Sequence, residues 1–325
     1  MTLPGPTRPA RLRRMSSPIL MAVPNVAEGR DRASIETIRK AFEPAAPERA
    51  RVRLLDLHAD PDHHRSVFTL AGPVTELADA VLNGAAAAVR CVDVVARAGG
   101  ERAQRGQHPH VGALDVAPVV YLDAGARGAA CAEALVIADR IGSELQVPVF
   151  LYGELAGGRT RAQLRRGGVL ALAERMASST GSARATDRLV PDFGPPRIHP
   201  SAGATLVAAR EPLVAFNLEL APPASLRDAR AIAASIREGA EHGLPGVRAI
   251  GVALGRGAAQ VSTNIERPLE VPLALVVDAV SRRVRVGGAE LVGLAPCAAL
   301  EGFPEGVPLR GFDPARHVIE NALRS

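Results

Sequence analysis

Val52-Arg-Leu-Leu-Asp-Leu-His-Ala-Asp-Pro-Asp-His-His-Arg-Ser-Val-Phe-Thr-Leu70 is the stretch on which the fold turns. Val52–Leu57 and Ser66–Leu70 read as two strands joined by a short polar turn. Helical patterns lie on both sides. Arg32–Phe42 precedes the pair, and the Ala-rich run Val74–Ala98 follows it, with Leu77, Val81 and Ala85 recurring at helical spacing. Ile19–Val23 and Leu114–Leu122 read as the outer strands. The resulting order, β-α-β-β-α-β, is that of the split βαβ or ferredoxin-like unit.

Farther along the chain, a helix at Cys131–Leu145, a short strand at Val147–Tyr152 and an Arg-rich helical stretch at Arg161–Met176 extend the unit. The order then repeats. Ala204–Ala208 and Leu213–Leu220 are β-like, Ser225–Glu238 is helical, and Val247–Leu254 and Ala258–Ile265 are strands. Leu269–Val284 reads as a helix and Leu291–Leu294 as a strand. The expected fold class is therefore α+β, with two ferredoxin-like (split βαβ) subdomains, 18–180 and 181–325, and a groove between them. An Arg/Pro-rich leader, 1–17, is expected to be disordered. Grooves between like domains are favoured sites for small molecules.

Composition narrows the function classes. A chain of 325 residues with 47% hydrophobic and 22% charged residues is ordinary for a soluble protein with a sizeable core. Three widely spaced cysteines, Cys91, Cys131 and Cys297, form no CxxC pair and read as reduced thiols in a cytoplasmic protein. The net charge of +5 owes four units to Arg8, Arg11, Arg13 and Arg14, so removing those leaves +1. Aromatic residues are only 3%, and none interleaves with basic residues as base stacking requires, which argues against a nucleic-acid partner. The apolar run Pro18–Pro24 is too short for an export signal, and no stretch approaches the roughly 20 apolar residues that span a bilayer.

Three segments could carry chemistry, and a fourth, Gly-rich one is excluded. In Gly106-Gln-His-Pro-His-Val-Gly-Ala-Leu-Asp115, Pro109 restrains His108 toward an extended backbone just before a buried strand, a good posture for a general base. Asp56-Leu-His-Ala-Asp-Pro-Asp-His-His-Arg65 offers imidazole and carboxylate groups at metal-ligand spacing, although a polar turn accounts for the same residues. Gly251-Val-Ala-Leu-Gly-Arg-Gly257 has neither phosphate-loop spacing nor a following helix. Pro191-Asp-Phe-Gly-Pro-Pro-Arg-Ile-His-Pro-Ser-Ala-Gly-Ala-Thr205 is dense in Gly and Pro, and reads either as a linker or as a loop cradling a planar ligand.

Taken in order, these segments resemble the glutamate formimidoyltransferase family, the transferase part of the formiminotransferase-cyclodeaminases. The likeness also rests on Val23-Pro-Asn-Val-Ala-Glu-Gly-Arg30, Arg65-Ser-Val-Phe-Thr-Leu-Ala-Gly72, Val147-Pro-Val-Phe-Leu-Tyr-Gly-Glu154 and Ala259-Gln-Val-Ser-Thr-Asn264. The resemblance implies a duplicated ferredoxin-like fold. It also implies transfer of a formimino group from N-formimino-L-glutamate to N5 of tetrahydrofolate in histidine degradation. Tetrahydrofolate would be a co-substrate, no metal would be needed, and a homodimer is left open. The family's catalytic histidine falls on His108. Its folate-binding loop falls on Gly194, Pro195, Pro196, Arg197, Ile198, His199, Pro200, Ser201, Ala202 and Gly203. Arg65 is the candidate partner of a substrate carboxylate, with His58, His110 and Asp115 as further substrate-binding candidates.

Departures from the family pattern bear on the substrate. The usual Gly-Glu-His-Pro-Arg reads Gly106-Gln-His-Pro-His110 here, and an acidic position near the end of the second strand reads His58. Three alternatives therefore accompany the main reading: a different donor such as N-formylglutamate, a His/Asp metal-dependent hydrolase, and a folate-binding protein without catalysis.

Overall fold

The computed structural model describes residues 17–43, 51–100, 110–177, 189–255 and 257–324. Most of the Arg-rich leader, His108 and residues 178–188 lie outside them. The first sheet starts from a broken strand, β1 (Ile19–Ala22) and β2 (Asn25–Val26), that pairs antiparallel with β4 (Arg65–Pro73) on one side and β5 (Leu114–Val120) on the other. β3 (Arg53–Asp60) adds to the outside of β4. Beyond β5 the pairing turns parallel, first to β7 (Thr205–Arg210) and then to β6 (Val149–Leu151).

The period-2 alternation of β5 decides which residues face what. Ala117 and Val119 enter the main core with Leu20, Phe68 and Leu70. There they meet helices α1 (Arg32–Phe42), α2 (Glu76–Cys91), α3 (Val94–Gly99) and α4 (Arg127–Glu144). Phe42 of α1 packs on Phe68 with ring centroids 4.8 Å apart. Each such large apolar side chain contributes about 1.5–3 kcal/mol by burial. Val116, Pro118 and Val120 face the opposite way, toward the second half of the molecule. On that side α5 (Arg161–Arg165) and α6 (Gly168–Ala177) cover Phe150 and Leu206 through Leu164, Leu172 and Met176.

The second sheet holds β8 (Val214–Leu220), β9 (Val247–Ala253), β10 (Ala259–Ile265), β11 (Val286–Val292) and the short β12 (Leu309–Arg310). Its order is β12-β11-β8-β10-β9, with antiparallel pairing throughout except at β12. In β8 the even positions Val214, Phe216, Leu218 and Leu220 are core, packed with α7 (Leu226–Ile236) and α8 (Leu273–Ser281). Ala215 on the other face looks into the groove. Met21, Ala71 and Val120 of the first sheet pack with Leu294, Ile319 and Ala322, joining the halves through a small apolar cluster. The architecture is mixed α+β with two sheets.

Three elements differ from expectation. The helix expected over 74–98 breaks after Cys91, where Asp93 caps a new helix by accepting from Ala96 N at 2.8 Å. The stretch expected as one helix over 161–176 divides at Arg166-Gly167. Thr205–Arg210, read with the second repeat, belongs to the first sheet because it pairs in parallel with β5 and β6. The second sheet therefore starts at Val214. All three cysteines are free, Cys91 and Cys131 half-buried and Cys297 exposed. No helix among the described residues is long and apolar enough to cross a membrane.

Candidate functional site

The start of β5 anchors the site. Asp115 is fully buried. One of its carboxylate oxygens accepts the Val111 N–H at 2.8 Å. The other accepts from Arg165, the last residue of α5, and lies 3.7 Å from His110 Nδ1. Burial, the largest single influence on this carboxyl, pushes it up, but Arg165, His110 and the Val111 amide together hold it well below the usual carboxylate range. The backbone that follows His108 is thus tied to a buried ion pair.

The same backbone meets the Gly/Pro-rich loop. Gly112 and Gly203 form an antiparallel bridge, Ala113 N bonds Ala202 O at 2.8 Å, and Ala204 N bonds Val111 O at 2.9 Å. Both glycines are required by close approach. A Cβ on Gly112 would lie 1.9 Å from Ala204 O, and one on Gly203, whose φ is +70°, would lie 2.2 Å from Val111 O. Within the loop, His199 and Gly203 exchange backbone hydrogen bonds, and His199 Nδ1 accepts from Ser201 N at 3.3 Å and Ala202 N at 3.0 Å. A neutral ring accepting at Nδ1 carries its proton on Nε2. Gly112→Ala is expected to force the two segments apart and destabilise the fold by about 2 kcal/mol or more. Chemical denaturation checks this, and the variant should also lose affinity for any ligand of the 194–203 loop.

A second buried network supports the His63-His64 turn. Glu28 accepts from the amides of Arg30 (2.9 Å) and Asp31 (3.0 Å) and from Arg97, whose guanidinium also donates to Ala27 O at 2.6 Å. His64 Nδ1 accepts from Gly29 N at 3.1 Å. Burial, outweighing the nearby Glu28, pulls the His64 imidazolium down to about 4, and burial lowers His63 as well. Two of the clustered histidines are therefore neutral members of a turn at physiological pH.

Between the sheets runs a groove of about 660 Å³, counting its open mouth. Its polar lining is Asn25, Arg65, Thr69, Arg161, Arg210 and Asn264, with no carboxylate among the lining residues. Burial pushes Arg65 and Arg210 down to about 10, so both stay protonated at neutral pH. Thr69 Oγ1 is buried with no hydrogen-bond partner among the described residues. Arg161 lies over the Tyr152 ring at 5.7 Å and is 4.0 Å from Glu266 of the second half. Arg65 senses the charges of Arg165 and Asp115 as well as Arg161, which connects the groove to the anchored start of β5. Three guanidinium groups give the groove a cationic lining, with Glu266, Asp115 and Asp60 as their nearby counter-charges.

His108 lies outside the described residues. Of the other expected site residues, His110, Asp115 and the 194–203 loop converge, and Arg65 lines the groove beside them. His58 stands apart from that convergence, 3.8 Å from Glu290 of the second sheet. Sequence reasoning missed Glu28, Arg97, Arg161, Arg165 and Arg210. A signal existed for some of them: Glu28 sits in the quoted 23–30 segment, and Arg161 and Arg165 lie in the Arg-rich stretch.

Comparison with known proteins identifies the family. Residues 19–210 match the formiminotransferase domain, N-terminal subdomain. The chain is 33% identical over 315 residues to a glutamate formimidoyltransferase of Streptococcus pyogenes, covering 94% of this chain and 98% of that protein. It is 30% identical over 312 residues to one of Thermoplasma acidophilum, covering 94% and 97%. A formimidoyltransferase-cyclodeaminase of Sus scrofa is 34% identical over 303 residues, with 87% of this chain matched to 51% of that protein. The chain therefore spans about half the length of the bifunctional relative and nearly all of the shorter ones. On these matches, the chain belongs to the formiminotransferase family.

Proposed function

We propose that this enzyme transfers the formimino group of N-formimino-L-glutamate to N5 of tetrahydrofolate, releasing glutamate and 5-formiminotetrahydrofolate in histidine degradation. The observation that carries the reading is the end-to-end likeness to glutamate formimidoyltransferases. The groove supports it chemically. A glutamyl group carries two carboxylates, and Arg65, Arg161 and Arg210 offer a cationic lining without a carboxylate among the lining residues. The loop 194–203, paired with the backbone of residues 111–113, suits a planar, hydrogen-bonding pterin. In this reaction N5 attacks the formimino carbon, His108 takes the N5 proton, and the same proton returns to the departing glutamate nitrogen. Arg65 and its neighbours orient the donor so that its reacting carbon meets N5.

The finer fold reading belongs to the same proposal. The order β11-β8-β10-β9 and the order β5-β1/β2-β4-β3 support two ferredoxin-like units, the first extended by β7 and β6. The three free thiols fit a reducing cytoplasm.

Arg65→Ala is expected to raise KM for the donor by about 10- to 100-fold, the worth of a hydrogen-bonded charge pair, with a smaller change in kcat. Steady-state kinetics with N-formiminoglutamate and N-formylglutamate in parallel test both the residue and the donor. An unchanged KM would remove Arg65 from the substrate site. Faster turnover of the formyl compound would replace the donor.

A further inference from the structure

The His-x-Asp segment at the end of β3 is not absorbed by the transferase reading, and it does not end in solvent. His58 and Asp60 alternate onto one face of β3, and across the interface they meet Glu290 of β11. One ligand atom from each of the three lies within 4.8 Å of the others. His58 Nε2 is 3.8 Å from Glu290 Oε1. All three side chains are partly buried, and the guanidinium groups of Arg65 and Arg310 act on Asp60 and Glu290 from outside the cluster.

The remaining atoms of the two carboxylates are already held. Glu290 Oε2 accepts from Asn217 Nδ2 at 3.2 Å, and Asp60 Oδ1 accepts the His63 N–H at 2.9 Å. In each acid one oxygen is oriented by a fixed donor; of the others, Glu290 Oε1 faces His58, and Asp60 Oδ2 lies 3.8 Å from His63 Nε2. That division of labour is what outer hydrogen bonds do for metal ligands. A divalent ion would neutralise the two carboxylates, and an N/O/O donor set suits zinc or manganese with positions left for water.

We infer that His58, Asp60 and Glu290 form a divalent transition-metal site that ties β3 of the first half to β11 of the second. The site lies beside the groove, since Val67, the register partner of His58, and Val292, two residues beyond Glu290, both line it. Its role is to brace the interface that forms the groove walls. It is independent of the group-transfer reading, because its readout is binding and stability.

The test uses the full chain freed of metal by chelation, titrated with Zn²⁺ or Mn²⁺ by calorimetry and followed by thermal unfolding. The expected result is one tight equivalent and a rise in Tm, because the ligands come together only in the folded state. His58→Ala and Glu290→Gln should each weaken binding by about tenfold or more and abolish the Tm rise. His242→Ala, at an exposed histidine outside the cluster, should change neither. Circular dichroism establishes that the variants are folded. Absence of stoichiometric binding, or binding undiminished in the folded His58 and Glu290 variants, would overturn the assignment.

Discussion

His108→Ala is expected to lower kcat by about 10²–10⁴-fold while tetrahydrofolate binding stays within a few-fold of the original protein. An amine attacking an amidine carbon must lose a proton, and imidazole, with an ordinary pKa of about 6.5, accepts it at neutral pH without being protonated beforehand. The chain from Val111 onward is fixed by Asp115 and by the Gly112–Gly203 bridge. Under the proposed function binding should be spared, because the loop 194–203 is held by its own backbone hydrogen bonds. The pH–rate profile separates this base from its neighbours. An acid limb near the ordinary imidazole range, absent in the variant, identifies His108, whereas the buried His64 titrates only at about 4. An unimpaired variant would end the assignment.

Asp115→Ala is expected to destabilise the protein by about 3–5 kcal/mol, the cost of leaving a buried cation without its partner. Arg165 is only 8% exposed, so water cannot replace the lost carboxylate, and the Val111 amide loses its acceptor as well. Replacing Asp115 and Arg165 together by leucine should cost much less than Asp115→Ala alone, a non-additivity that denaturant unfolding measures directly. The pH dependence follows from the same pair. The folded-state pKa of Asp115 lies below its unfolded value, so the folded state binds fewer protons in that window. Its stabilisation is fully present above the ordinary carboxylate range and is lost as pH falls through and below it. His64, also depressed, acts with the same sign but earlier, as pH falls from 6.5 toward about 4. Stability should therefore decline in two stages on acidification, and Asp115→Ala should diminish the later one, to which the lowered Glu28 also contributes.

Local patterns were legible where local physics decides. Arg32–Phe42 is a helix over the residues its periodicity marks, with Asp31 accepting from Ala33 N at 3.0 Å as its cap. The hairpin of β3 and β4 follows from two apolar runs around a polar turn. What was not legible is set by distant partners. Thr205–Arg210 carries the same apolar pattern whichever sheet it joins, and only its parallel pairing with β5 and β6 assigns it to the first. The break at Asp93 depends on one capping hydrogen bond inside an otherwise continuous Ala-rich pattern. In the site, a motif pointed to Asp115, yet nothing in the linear chain indicates that Arg165, 50 residues away, is its partner. Arg210 reads as a charge closing an apolar strand, and its place in the groove follows from how the two sheets face each other.

Under the proposed function formimino transfer requires folate, which product analysis checks. The purified protein is mixed with N-formiminoglutamate, with and without tetrahydrofolate, and 5-formiminotetrahydrofolate and glutamate are both quantified over time. Equal amounts of the two products, with neither formed when tetrahydrofolate is omitted, is the result this account predicts. Glutamate released without folate, or no folate product in the complete mixture, would contradict it.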